Sequence, residues 1–237
     1  MKKLVLFDID GTLIRHFGPE STINIGWYRF VYALKRVFDI DVTPNPKRNY
    51  HGGVDRAILF DIASRYGVTK VQFDARFEDV KMAVIDYAHT RETKQIYEAI
   101  PEGVQLIHLL RNFSKQFLLG ILTGNVEKMA YWKLRHVGID PSWFTLFITS
   151  DEFEDRISLA KSVFLKAEKD AGISVSPEDI YIIGDAVGDI LCAHAIGVSS
   201  IIATTGRHKK DELRAEHPTL LVDSLMDTRV LSLLGLK

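Results

Sequence analysis

Six short apolar runs recur along the chain, at residues 3–8, 117–123, 146–150, 180–185, 198–204 and 220–223. Each is nearly continuous rather than alternating. Such runs, separated by helical patterns, predict strands buried on both faces of a parallel sheet. Pro101-Glu102-Gly103 opens one intervening helix through Leu106, Leu109 and Leu110; Leu159 to Ala171 is a second, and Asp189 to Ile196 a third. The alternation predicts an α/β fold with a parallel-sheet core.

Between about residues 17 and 97 the strand signal disappears. Ile23, Trp27, Phe30, Val31 and Leu34 recur at helical spacing until Thr43-Pro44-Asn45-Pro46 breaks the pattern. His51-Gly52-Gly53 reads as a turn before a helix through Ala57, Leu59, Ile62 and Ala63, and an amphipathic stretch covers Phe77 to Tyr87. The block is too long for a loop and has its own apolar faces, which predicts a separate all-helical lid. The expected division is a core of residues 1–16 and 98–237 and a helical cap of residues 17–97. Trp27, Tyr28 and Phe30 are expected in the interior of that cap.

Composition narrows the function classes. Apolar residues make up 46% of the 237 and charged residues 26%, which excludes a disordered or fibrous chain. Lys plus Arg is 30 against 31 for Asp plus Glu, so there is no basic excess of the kind that nucleic-acid binders carry. Cys192 is the single cysteine, which excludes a cysteine-based zinc cluster and an internal disulfide. No apolar run approaches the ~20 residues that span a bilayer, and the one at residues 4–7 is too short for a signal peptide. A soluble, cytoplasmic protein is expected, monomer or homodimer, with neither nucleic acid nor membrane as partner.

The chemistry-bearing residues sit at strand ends. Asp8-Ile9-Asp10-Gly11-Thr12-Leu13 follows the first run. Residues i and i+2 at a strand terminus can point to the same side, and two carboxylates there repel unless a cation or a proton separates their roles. Gly11 permits a sharp turn. Leu122-Thr123-Gly124-Asn125 offers a hydroxyl, a flexible backbone and an amide suited to phosphoryl oxygens. In Gly184-Asp185-Ala186-Val187-Gly188-Asp189 the two acids lie one helical turn apart and can face one cation. Each motif alone has a plain reading, as solvated acids, a common turn or a helix cap. Cys192 falls on the apolar side of its helix and is expected to be packed rather than reactive.

Taken in order, the DIDGTL, LTGN and GDAVGD motifs resemble those of the haloacid dehalogenase superfamily of phosphohydrolases, and the tail is similar to its phosphoglycolate-phosphatase-like branch. The resemblance implies a Rossmann-like parallel-sheet core with an inserted all-helical cap. It implies Asp8 as nucleophile, forming an aspartyl-phosphate, and Asp10 as general acid and then base. It implies Mg²⁺ held by Asp8, the Asp10 carbonyl and Asp185, with Asp189 ligating or orienting its waters. Gly11, Thr12, Thr123, Gly124 and Asn125 would surround the phosphoryl group. Many relatives carry a Lys-Pro pair ahead of the last acidic motif, which is absent here; Arg156 takes its place by position, with Lys161 the other candidate. In the cap, His51, Gly52 and Arg56 resemble the loop that faces substrate. The implied activity is hydrolysis of a small phosphorylated metabolite, 2-phosphoglycolate being the substrate that the branch suggests. A phosphomutase of the same superfamily and a non-catalytic phosphate-ligand-binding protein are the alternatives.

Overall fold

The six apolar runs are the strands of one all-parallel sheet. In the computed structural model, which describes residues 2–16, 25–43, 50, 52–90 and 97–236, they are β1 (Lys3–Phe7), β4 (Phe117–Leu122), β5 (Leu146–Ile148), β6 (Ile180–Gly184), β7 (Ser199–Ala203) and β8 (Leu220–Val222). Their order is β5-β4-β1-β6-β7-β8. β1 is central, and its Phe7 is in register with Ile121 of β4 and Ile183 of β6. The three strands therefore end side by side, and the motifs that follow them meet at one edge. Strand order reverses here, at the kind of switch point where open α/β sheets bind ligands.

Alternation along β1 divides the core. Val5 and Phe7 face α5 (Pro101–Asn112) and α6 (Glu127–His136) through Leu106, Leu110 and Leu134. Leu4 and Leu6 face the opposite layer, α7 (Arg156–Lys161), α8 (Val163–Ala171) and α9 (Val187–Ile196), through Leu159, Val163 and Cys192. The helix expected over residues 159–171 is thus two. They meet at Ser162, whose hydroxyl donates to the Leu159 carbonyl at 2.8 Å, a back-bond that bends helices.

The insertion leaves and re-enters through a ribbon that the sequence did not announce. β2 (Ile14–His16) pairs antiparallel with β3 (Tyr97–Ala99), Ile14 opposite Ala99. Between them lie α1 (Ile25–Phe38), α2 (Asp55–Ser64), α3 (Lys70–Ala75) and α4 (Phe77–Thr90). They bury Phe30, Leu34, Leu59, Phe73, Val80 and Val84 in a second apolar cluster, which Val126 and Met129 of the core join. Trp27 is partly buried and stacks on Tyr50, but Tyr28 is 42% exposed, so it is not in the cap's interior as its neighbours are. Ile23, the Pro44 to Pro46 break and His51 lie outside the described residues. No helix among the described residues is long and apolar enough to cross a membrane.

Candidate active site

The turn after β1 is set by Gly11. Its φ of +85° is in the left-handed region, its N–H donates to the Ile14 carbonyl at 2.7 Å, and a Cβ there would overlap the Asp185 carboxylate. Thr12, fully buried, donates its hydroxyl to Asp185 Oδ1 at 2.9 Å. Gly11 and Thr12 therefore shape and hold the Asp185 carboxylate. Thr205 braces the same turn by donating to the Gly11 carbonyl at 2.6 Å.

Asp8, Asp185 and Asp189 are all buried and offer carboxylate oxygens within 4.8 Å of one another. Asp8 Oδ1 has no hydrogen-bond partner among the described residues. Burial pushes the Asp8 carboxyl up to about 7; Arg156 opposes the shift, and the charges of Asp189 and Asp10 add to it. Burial, Asp189 and Asp8 raise Asp185 well above the usual carboxylate range. Anions crowded so closely and kept from water need a cation or protons, and hard oxygen donors suit a divalent ion. The residues present fit such an ion. Asp189 is placed differently from the other two. Its Oδ2 accepts from the Asp185 and Ala186 backbone N–H groups at 3.1 and 3.0 Å, capping α9 from within, and its Oδ1 pairs with Arg156. It orients its neighbours, with no oxygen left unengaged.

Arg156 is the first residue of α7, behind the Asp155 cap. Its Nη2 also lies 3.6 Å from Asp8 Oδ2. Burial disfavours its charge, but Asp189 and Asp8 outweigh burial and hold the guanidinium protonated. Lys161, at the far end of α7, is exposed. The two basic candidates are separated by this geometry: only Arg156 stands against Asp8. Its carbonyl accepts from the Cys192 thiol at 3.2 Å, and burial pushes that thiol up to about 11, so Cys192 is packed and unreactive.

Asp10 has a partner that the sequence reading missed. Lys133, on α6, is 2% exposed, and its ammonium donates to both Asp10 oxygens at 2.7 Å and to Asn125 Oδ1 at 2.8 Å. Asn125 Nδ2 donates to Asp10 Oδ2 at 2.7 Å and to Thr123 Oγ1 at 2.9 Å. The Asn125 amide is thus engaged in aiming Asp10, while the Thr123 hydroxyl keeps its own proton to donate. Burial would raise the Asp10 carboxyl, but Lys133, Asn125 and Arg29 outweigh it and hold it below the usual range. Its side chain still keeps 46% of its surface exposed. A signal existed: Lys133 follows Met129 and Ala130, both buried, by four and three residues, which puts a lysine on the buried face of a helix.

The cap lies directly over this edge. The Asp55 N–H donates to the Gly124 carbonyl at 2.7 Å, and Asp55 Oδ2 accepts from the Val126 N–H at 3.2 Å. A Cβ on Gly124 would come 2.1 Å from the Gly53 carbonyl oxygen, so the two backbones touch only because Gly124 lacks one. Gly52 faces Ala186 and Gly188. Arg56 spans the seam, donating to the Asp151 carbonyl at 2.6 Å and to Asp74 at 2.8 Å, with its guanidinium over Phe77. Gly124→Ala is expected to keep the fold but prevent the cap from seating; displacements of ~1 Å at an active site can cost ~10²-fold. Steady-state kinetics with circular dichroism on the same samples check this.

A profile of haloacid dehalogenase-like hydrolases matches residues 2–197. The chain belongs to that family. It is similar to phosphoglycolate phosphatases from Vibrio vulnificus (25% identical, covering 94% of this chain and 92% of the relative) and Nitrosococcus oceani (21%, 96% and 95%). Among solved structures, CbbY from Rhodobacter sphaeroides in complex with phosphate aligns over the whole of both chains at a TM-score of 0.68 and 15% identity, a likeness of fold.

Proposed function

We propose that this hydrolase is a Mg²⁺-dependent phosphatase acting on a small phosphorylated metabolite through an aspartyl-phosphate on Asp8. The observation that carries the reading is Asp8 itself. It is a buried carboxylate with one oxygen unpartnered among the described residues, beside Asp185 and under Arg156. The curated relatives named as phosphatases support the reading, and 2-phosphoglycolate is the first substrate to test.

Asp8, Asp185 and the Asp10 carbonyl would hold Mg²⁺, with Asp189 orienting. When bound, the ion supplies positive charge against which an anionic ester can approach an anionic nucleophile. Arg156 and the Thr123 hydroxyl hold the phosphoryl oxygens in line with Asp8. Asp8 attacks phosphorus as Asp10 protonates the leaving oxygen; Asp10 then takes a proton from the water that cleaves the acyl phosphate. Asp10 is held ionised before substrate arrives; the proton for the first step comes in with the monoanion of the monoester, whose negative charge beside Asp10 raises that carboxyl while it is bound. The helical insertion, 17–97, acts as the cap that keeps bulk water from the reacting carboxylate.

Phosphate release from p-nitrophenyl phosphate is expected with Mg²⁺ and not with EDTA; equal rates would end this reading. The metal also sets a pH dependence. In the metal-free protein, the stability that protonated Asp8 contributes is fully present below about 4 and is lost as pH rises through about 7. Asp185 acts in the same direction. A cation must displace these protons, so apparent affinity rises by up to ~10-fold per pH unit for each proton displaced. The Tm increment from added Mg²⁺ is therefore expected to grow between pH 6 and pH 8. A larger increment at pH 6 contradicts the cluster as the metal site.

A further inference from the structure

Among the described residues, Lys133, Arg156, Arg56 and Arg29 are buried or partly buried cations near the catalytic edge, and the first three have visible employment. Lys133 directs its ammonium at Asp10 and Asn125. Arg156 pairs with Asp189 beside Asp8. Arg56 joins Asp151 to Asp74. Arg56 and Arg156 each leave a single nitrogen, Nε, buried without a partner among the described residues, whereas the fourth, Arg29, leaves two. It projects from α1 of the cap, and its residue is 8% exposed. Nη2 donates to Asp55 Oδ1 at 2.8 Å, yet Nε and Nη1 are buried without a hydrogen-bond partner among the described residues. Buried charged donors left unpaired are costly, and where they persist they need an explanation.

Its surroundings give one. Asp55, which holds Arg29, is itself bonded to the backbone at Gly124 and Val126, beside Thr123 and Asn125. The guanidinium lies over the Phe30 ring at 4.6 Å and is close enough to Asp10 for each charge to influence the other. Asp10 faces the leaving oxygen in the proposed reaction, so the Asp10 side of the site is where the rest of the substrate sits. Asp10, already engaged by Lys133 and Asn125, does not satisfy the Arg29 donors.

We propose that Arg29 reads a second anionic group, a carboxylate or a second phosphate, on the part of the substrate beyond the ester oxygen. This deepens the phosphatase reading and rests on it. The substrate class is a short, doubly anionic phosphomonoester. Arg29 determines specificity, with no part in breaking the P–O bond. Asp55 fixes the guanidinium in place and ties its position to a seated cap, so the second anion is met only when the cap is seated.

The test compares kcat/KM for three esters of ethylene glycol size. These are glycol monophosphate, 2-phosphoglycolate, in which a carboxylate replaces the CH₂OH, and glycol bisphosphate. The protein as it stands should prefer one or both doubly anionic esters over the neutral-ended one, and whichever is preferred identifies the second anion. A charge-assisted contact predicts a preference of about 10–100-fold. In Arg29→Met the ratio should fall towards one, and in Arg29→Lys part of it should return. Asp55→Asn removes the charge but keeps an Oδ1 that can accept from Arg29 Nη2, so the guanidinium stays held and most of the ratio should remain. Two results overturn the assignment: no preference in the unaltered protein, or rates for all three esters falling together in both Arg29→Met and Asp55→Asn, as for a mere clamp on the cap. Turnover of glycol monophosphate by the unaltered protein decides the phosphatase reading separately, since that ester asks nothing of Arg29.

Discussion

Asp8→Asn is expected to abolish phosphate release, lowering kcat on the order of 10⁴-fold or more, because no other group can replace a covalent nucleophile. The substitution is nearly isosteric, so lost activity is not lost structure. It also removes a carboxyl that burial, against the opposing charge of Arg156, pushes up to about 7, in a cluster with Asp185 and Asp189. The metal-free variant should therefore be at least as stable as the parent above pH 7, where the parent carries the buried charge and the variant does not. Activity assays with thermal unfolding at pH 8 read both effects. An inactive variant with clearly lowered metal-free Tm would mean that Asp8 is a structural acid. An active one would mean that another group takes the phosphoryl.

The second large effect is expected at Lys133. Its ammonium is the largest influence drawing the Asp10 carboxyl below its usual range against burial, and it fixes both Asp10 oxygens at 2.7 Å. Lys133→Met fills the same volume without charge or donor. Asp10 loses its cation and Asn125 loses a donor, so the acid–base carboxyl is neither aimed nor held ionised. General acid–base catalysis contributes ~10²–10⁴-fold, and a loss of roughly 10²-fold in kcat with little change in KM is expected. The acid limb of the pH profile should also move to higher pH, since Asp10 without its cation takes up a proton more readily. Lys133→Gln restores a donor but no charge and should recover only part of the rate. A loss confined to KM, or an unmoved acid limb, would show that Lys133 merely packs α6 against the sheet.

The sheet was legible because each strand is a short apolar run bounded by a motif, and a parallel strand buried on both faces has no other sequence form. The three acidic and polar motifs were legible for the same reason: each follows a strand end, and β1, β4 and β6 are neighbours. Residues whose roles depend on packing between distant elements were harder to see. Lys133 reads as one more charge in a polar helix until α6 turns it towards Asp10. Arg29 reads as a surface arginine beside exposed Tyr28, although Phe30 and Ala33, at one and four residues beyond it, are buried. β2 and β3 are three residues each, and Ile14-Arg15-His16 carries no pattern long enough to distinguish strand from loop. The single helix expected from Leu159 to Ala171 had no visible breaker, because serine breaks a helix only through the hydrogen bond it chooses.

Trapping the covalent species tests the central claim most directly. Enzyme turning over a phosphomonoester with Mg²⁺ is quenched in acid, reduced with borohydride and mapped by peptide mass spectrometry. An aspartyl-phosphate is reduced to homoserine, whereas a free aspartate is not. Homoserine at position 8, dependent on substrate and absent with EDTA, is the predicted result. Unmodified Asp8 under conditions of demonstrated turnover, or the mark on another carboxylate, would contradict it.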